Sequence, residues 1–223
     1  MKRSILILVL LAVIATGVFA KEFSLSAGGG VLFDWSIDNG ITYDSNSYFL
    51  SEDVMAFGGF AFFDATYAEL EVNFTYGLRS LRSNDSRNET GANGNYMALG
   101  FSLLGKYPIN LTKVTVSPLL GGSYNLVLVD KFEDGGSISD SDYYKSMDWS
   151  QFGALAGVGV DITLTESLFL KTEALFHFRF PNKIWSDFAD SSDGKTSFGM
   201  GPKVKVGVGY KFFSKEAAAV EKQ

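Results

Sequence analysis

The chain has 223 residues, no cysteine and a formal net charge of −6. The lack of cysteine excludes a disulfide framework, thiol catalysis and lipid attachment through an N-terminal cysteine. The acidic balance argues against a nucleic-acid partner, which needs a basic patch.

The opening MKRSILILVLLAVIATGVFA places Lys2 and Arg3 before an apolar run from Ile5 to Ile14 and closes on small residues to Ala20. That is the layout of a secretory signal peptide over residues 1–20. Its removal leaves 203 of the 223 residues, which suits one all-β barrel over 21–213 and a short tail, 214–223. After cleavage no apolar run reaches transmembrane-helix length, so any membrane crossing is by closed sheet, where every backbone group pairs internally.

Eight segments alternate with period two, as extended strands do when their two faces meet opposite environments. The first, Phe23 to Trp35, sets Phe23, Leu25, Val31, Phe33 and Trp35 against Ser24, Ser26, Gly28, Gly30, Leu32 and Asp34. The second, Val54 to Phe63, has Phe60 and Phe62 on one face and Met55, Phe57 and Phe63 on the other, so its register is the least determined. In the third, Ala68, Leu70, Val72, Phe74, Tyr76 and Leu78 oppose Tyr67, Glu69, Glu71, Asn73 and Thr75. The fourth, Asn95 to Lys106, and the fifth, Lys113 to Val129, place Ala98, Gly100, Ser102, Thr115, Ser117, Gly121, Ser123 and Asn125 on their polar faces. The sixth, Gln151 to Ile162, opposes Val158, Val160 and Ile162 to Gly153, Gly157, Gly159 and Asp161. The seventh, Ser167 to Phe180, opposes Leu168, Leu170, Phe176 and Phe178 to Lys171, Glu173, His177 and Arg179. The last, Ser197 to Phe213, is the clearest. Met200, Pro202, Val204, Val206, Val208, Tyr210 and Phe212 form one face, with Gly199, Gly201, Lys203, Lys205, Gly207, Gly209 and Lys211 on the other.

The connections alternate long and short, with long polar ones at Ser36–Asp53, Arg79–Gly94, Asp130–Trp149 and Pro181–Thr196. Membrane barrels have this asymmetry, with short turns and both termini on the periplasmic side. On that topology Trp35, Tyr76, Tyr124, Phe152, Phe180 and Phe198 gather at the outer ends of the apolar face. Phe23, Phe63, Tyr210 and Phe212 gather at the inner ends, giving the two aromatic girdles of a membrane-spanning band. A soluble carrier barrel would carry the same alternation with its apolar face inward. The polar face here is rich in glycine, which weakens a strand and needs a steric reason. A narrow eight-stranded lumen supplies one. The expected fold is therefore an all-β, eight-stranded antiparallel up-and-down transmembrane barrel.

The inward face carries both signs of charge: Asp34, Glu69, Glu71, Asp161 and Glu173 with Lys171, His177, Arg179, Lys203, Lys205 and Lys211. Buried charge must be paired. The set reads either as a salt-bridged plug or as a gated path for small or apolar solutes. Pro118 and Pro202 fall on the outward face, where a closed barrel has no free edge for a residue that cannot donate to the ladder. A β-bulge at each is the first reading; the second is a lateral opening in the wall.

With these features the chain resembles the small eight-stranded outer-membrane barrels that include OmpX, OmpW and the membrane domain of OmpA. The resemblance covers residues 21 to 213 and implies residence in a bacterial outer membrane among lipid and lipopolysaccharide. The closing strand, with Val206, Val208, Tyr210 and Phe212, is similar to the signal read by the barrel-assembly machinery, although SKEAAAVEKQ follows it here. The resemblance to OmpW-like proteins also implies that the lateral opening would serve as an exit for apolar substrates.

Enzymatic readings are weak. Lipid A deacylase barrels use a His-x-Ser pair on the lipid-facing side, whereas the single histidine here stands in His177-Phe178-Arg179 and points inward. Asp187, Asp190 and Asp193 have spacing three rather than the two of a calcium loop, and the Asn84 and Asn88 sequons have no meaning in a bacterial envelope. No cofactor, metal or catalytic residue is expected. The two functions left open are a narrow conduit for small solutes and a surface-exposed structural protein or adhesin binding a host ligand through its loops.

Overall fold

The computed structural model describes residues 23–43, 49–85, 88–133, 150–181, 194–196 and 198–215. The segment read as a signal peptide, Asp187, Asp190, Asp193, most of the Asp130–Trp149 connection and residues 216–223 lie outside these.

The strands in chain order are β1 (Phe23–Tyr43), β2 (Phe49–Ala65), β3 (Ala68–Asp85), β4 (Asn88–Lys106), β5 (Ile109–Leu111), β6 (Val114–Glu133), β7 (Gln151–Thr163), β8 (Leu168–Arg179), β9 (Gly194–Thr196) and β10 (Gly199–Lys215). Eight of them pair in the order β10-β8-β7-β6-β4-β3-β2-β1, and β10 pairs back to β1, so the sheet closes on itself. Every pairing is antiparallel. The three-residue strands β5 and β9 only extend the wall, against β6 and β1. This is the expected eight-stranded up-and-down barrel, and closure leaves the long strands without an edge.

Alternation sorts the side chains as a membrane barrel requires and not as a soluble carrier does. Lys203 and Lys205 are 1% exposed, while Val204 and Val206, their immediate neighbours, are 39% and 42% exposed. Val31, Phe57, Leu78, Leu120 and Val208 stand outward in the same way. At one end of this apolar surface Tyr124 packs on Phe152 and Phe180 on Phe198, with ring centroids 4.7 and 5.8 Å apart. At the other, Phe63 meets Phe212 at 6.1 Å and Phe23 meets Phe213 at 6.0 Å. The rings form two belts, as the sequence suggests.

Two expectations are corrected. The connections read as loops at Ser36–Asp53 and Arg79–Gly94 are largely ladder: Ile37 pairs with Asp53, Thr42 with Phe49, Ser80 with Asn93 and Asp85 with Asn88. These stretches are mostly polar in sequence, so their pairing leaves no apolar–polar alternation to read. Secondly, neither proline carries a bulge. The register shifts lie at Leu25/Ser26, Asp38/Ile41 and Met97/Ala98, and Pro118 and Pro202 sit in unbroken register opposite Val158 and Phe176.

On its other side Pro202 interrupts the seam: the β1–β10 pairing skips from Asp34↔Lys203 to Ile37↔Met200. The register is kept across the gap. A Cβ on Gly201 would run into the Trp35 carbonyl, so the two backbones stay in contact beside Pro202.

Candidate functional site

The lumen holds the chemistry. Counting from the end where β1 begins and β10 ends, it starts with a cavity of about 580 Å³. Hydroxyls from Ser24, Ser26, Thr66, Thr115, Ser117 and Thr163 line it, together with Lys211, Asp64, Lys106 and Asp161. Thr66, the turn residue between β2 and β3, adopts a left-handed φ of 41°. Its hydroxyl accepts from the Ser24 backbone N–H at 2.7 Å, which ties the turn to the start of β1.

Above the cavity the interior fills with paired ions. Lys106 pairs with Asp64. Lys171 reaches four carboxylates: Glu69 at 2.6 Å, Glu173 at 3.2 Å, Asp64 at 3.5 Å and Asp161 at 3.7 Å. Lys205 lies between Glu71 and Glu173, 2.8 Å from the latter, and Lys203 is 3.9 Å from Glu71. Asn73 donates to Glu71 at 2.9 Å. Nearer the far end Asp34 meets His177 Nδ1 and Arg179 Nη2, each at 3.4 Å, and Ser123 Oγ lies 3.0 Å from His177 Nε2. Among the described residues the buried or half-buried interior carboxylates are Asp34, Asp64, Glu69, Glu71, Asp161 and Glu173. The matching cations are Arg79, Lys106, Lys171, Arg179, Lys203 and Lys205, so the interior is balanced in formal charge. A low-dielectric core tolerates ions only in such balance.

Apolar side chains close the remaining space. Leu32, Phe60, Phe62 and Phe169 form one buried cluster, and Leu104, Leu119, Leu155 and Leu175 another. Lys171 Nζ stands 4.9 Å from the centre of the Phe62 ring. The lumen is therefore not only glycine and ions.

Of the charged residues singled out from the sequence, Asp34, Glu69, Glu71, Lys171, Glu173, His177, Arg179, Lys203 and Lys205 are brought together in the interior. Asp161 is half-buried at the edge of the cluster, and Lys211 is exposed at the mouth, clear of the ion pairs. Asp64, Lys106 and Arg79 were missed because each lies one step past where the alternation becomes unclear. Asp64 continues the inward parity of Phe60 and Phe62, Lys106 that of Ser102 and Leu104, and Arg79 that of Thr75. On the closing strand Tyr210 and Phe212 face outward with Val206 and Val208. Glu69, Glu71 and Glu173 bring carboxylate oxygens within 4.8 Å of one another, but Lys171 and Lys205 already occupy the space between them, so the donor set suits ammonium groups rather than a metal.

No family model matches the chain, and no curated protein does. Among solved structures the chain is similar to the outer membrane protein OprG from Pseudomonas aeruginosa, at 12% identity over 86% of this chain and 95% of that one, with a TM-score of 0.48. It is also similar to Neisserial surface protein A, at 15% identity over 86% and 98% of the two chains and a TM-score of 0.41. A third is Ail, the attachment invasion locus protein of Yersinia pestis, at 14% identity over 86% and 98% and a TM-score of 0.35. By its own pairing and side-chain placement, this chain is a closed eight-stranded antiparallel β-barrel with apolar residues outward and paired ions within.

Proposed function

We propose that the chain is an integral barrel of a bacterial outer membrane with a plugged lumen, acting as a surface-exposed structural or adhesive protein through the hairpins opposite its termini. The apolar outer band and its two aromatic belts support the membrane setting, since continuous exposed apolar surface of this kind marks lipid contact. The outward Val206, Val208, Tyr210 and Phe212 of the closing strand support handling by the barrel-assembly machinery.

The plug rests on one observation. Lys171 on β8 and Glu69 on β3 are 2.6 Å apart, yet their strands are four neighbours apart in either direction round the barrel. Side chains from diametrically opposite walls therefore meet in the middle, and the leucine and phenylalanine clusters fill the space beside them. The strands β1 to β4 and β6, of 17 to 21 residues, are longer than the roughly ten residues a tilted strand needs to cross a bilayer. The excess projects as hairpins suited to contact with a partner.

A gated conduit is the second reading, favoured by the cavity at the terminal mouth, which brings solvent up to the Lys106–Asp64 pair. Planar-bilayer recording of the refolded protein separates the two. The plugged reading expects no resolved openings; stable openings that Lys171→Met alters would overturn it. Loss of ligand binding on trimming Asp130–Trp149 would support adhesion.

A further inference from the structure

The mouth cavity ends where the ion network begins, and its wall differs in chemistry from the plug above it. Ser26 on β1 and Ser117 on β6 line it from strands four neighbours apart in either direction round the barrel. The two serines are 5% and 4% exposed, and among the described residues neither hydroxyl holds a hydrogen bond. A hydroxyl out of water normally finds a partner, because burying one idle is unfavourable. These two are offered to the cavity from opposite walls and not to the protein.

Asp161 on β7 adds a stronger acceptor to the same space. Its side chain keeps 23% of its surface and lines the cavity. Lys171 Nζ stands 3.7 Å away, beyond hydrogen-bond reach, and among the described residues nothing donates to this carboxylate. Such a group takes charge-assisted hydrogen bonds from hydroxyl donors, roughly twice as strong as neutral ones. The charges around the cavity cancel, Asp64 and Asp161 against Lys106 and Lys211, so an ion of either sign meets its like. The buried Phe169 gives the same wall an apolar ring.

From this combination we propose that the mouth cavity binds a short neutral saccharide. A sugar donates hydroxyls to Asp161, exchanges hydrogen bonds with Ser26 and Ser117 on facing walls, and lays a C–H face against Phe169. Its mixture of hydroxyl edges and apolar faces matches the wall, and it carries no charge to oppose either lysine or carboxylate. The volume of about 580 Å³ falls among small-molecule sites of about 300–1,000 Å³. The same chemistry serves a free disaccharide and the end of an N-acetylated glycan strand. This goes beyond the structural or adhesive reading and holds whether the lumen is plugged or conducts, because the ligand stops at the ion network.

The test uses the full mature barrel refolded in lauryldimethylamine oxide, a detergent without a sugar head group, with heat-modifiable migration as the check on folding. Maltose and N,N′-diacetylchitobiose are titrated and followed by saturation-transfer NMR. The expected result is saturable binding, with a preference for maltose pointing to a free sugar and a preference for diacetylchitobiose to a glycan end. Asp161→Asn should weaken binding at least tenfold. Ser26→Ala and Ser117→Ala should each weaken it several-fold without loss of folded protein, since neither hydroxyl holds the fold together. Ser102→Ala, a lumen serine outside the cavity, should leave it unchanged. No saturable signal from either sugar in folded protein overturns the proposal, as does binding undiminished in folded Ser117→Ala. Displacement of the sugars by equal concentrations of glycine or inorganic phosphate also overturns it, since that would make the cavity a site for ions.

Discussion

Lys205 and Glu173 are direct cross-strand partners on β10 and β8, and the lysine donates to the carboxylate at 2.8 Å while its other side faces Glu71. Neither Lys205 nor Glu173 is more than 1% exposed. Removing one member of such a buried set leaves uncompensated charge, at a cost of about 3–5 kcal/mol. Lys205→Met should therefore destabilise the barrel by that amount in urea titrations in lipid vesicles. Adding Glu173→Gln to it should recover part of the loss, because the two changes share a partner. Equal midpoints for wild type and Lys205→Met would show that the interior is hydrated rather than closed.

The outward face offers a second check. Val31 is 67% exposed and lies mid-wall between Gly59 and Val206. Val31→Arg should cost about 2–4 kcal/mol of folding into a bilayer, as a charge at the midplane does. The same change should cost much less in short-chain detergent, where the head group reaches water. An identical loss in both media would contradict lipid contact at this position.

The β1–β10 seam supplies a third. Gly201 faces inward where a Cβ would collide with the Trp35 backbone, whereas a Cβ on the outward Gly59 would meet only the Gly30 carbonyl oxygen, at 3.6 Å. Gly201→Ala should destabilise the barrel by about 1–3 kcal/mol through overpacking against atoms that cannot rotate away. Gly59→Ala should be neutral or slightly stabilising. Fractions migrating as folded protein after refolding at a fixed lipid ratio measure both.

Thr112 opens a fourth test, in the turn between β5 and β6. It holds a φ of 48° and is exposed, a left-handed conformation that a β-branched residue adopts under strain. Thr112→Asn should stabilise the protein by about 1 kcal/mol in urea titrations. The same change at Thr66, with φ 41°, should give no gain, because the Thr66 hydroxyl is bonded to Ser24 at 2.7 Å.

The amino-acid order alone determines the number of long strands, the facing of most of their side chains and where the two aromatic belts fall. These follow from local parity: a strand with one wet and one apolar face repeats every two residues. Thus Val204 and Lys203 declare their opposite faces from their neighbours alone. Parity becomes silent where a strand carries no apolar face in its sequence. The hairpins past Ser36 and Arg79 read as loops for that reason, and the inward Phe60 and Phe62 of β2 leave its register open. What tertiary structure decided is which inward residues meet. Lys171 reaches Glu69 across the full width of the lumen, and Ser123, His177 and Asp34 converge from three strands. Those encounters depend on the stagger between strands fixed when β10 closes on β1, a long-range quantity that no local pattern carries.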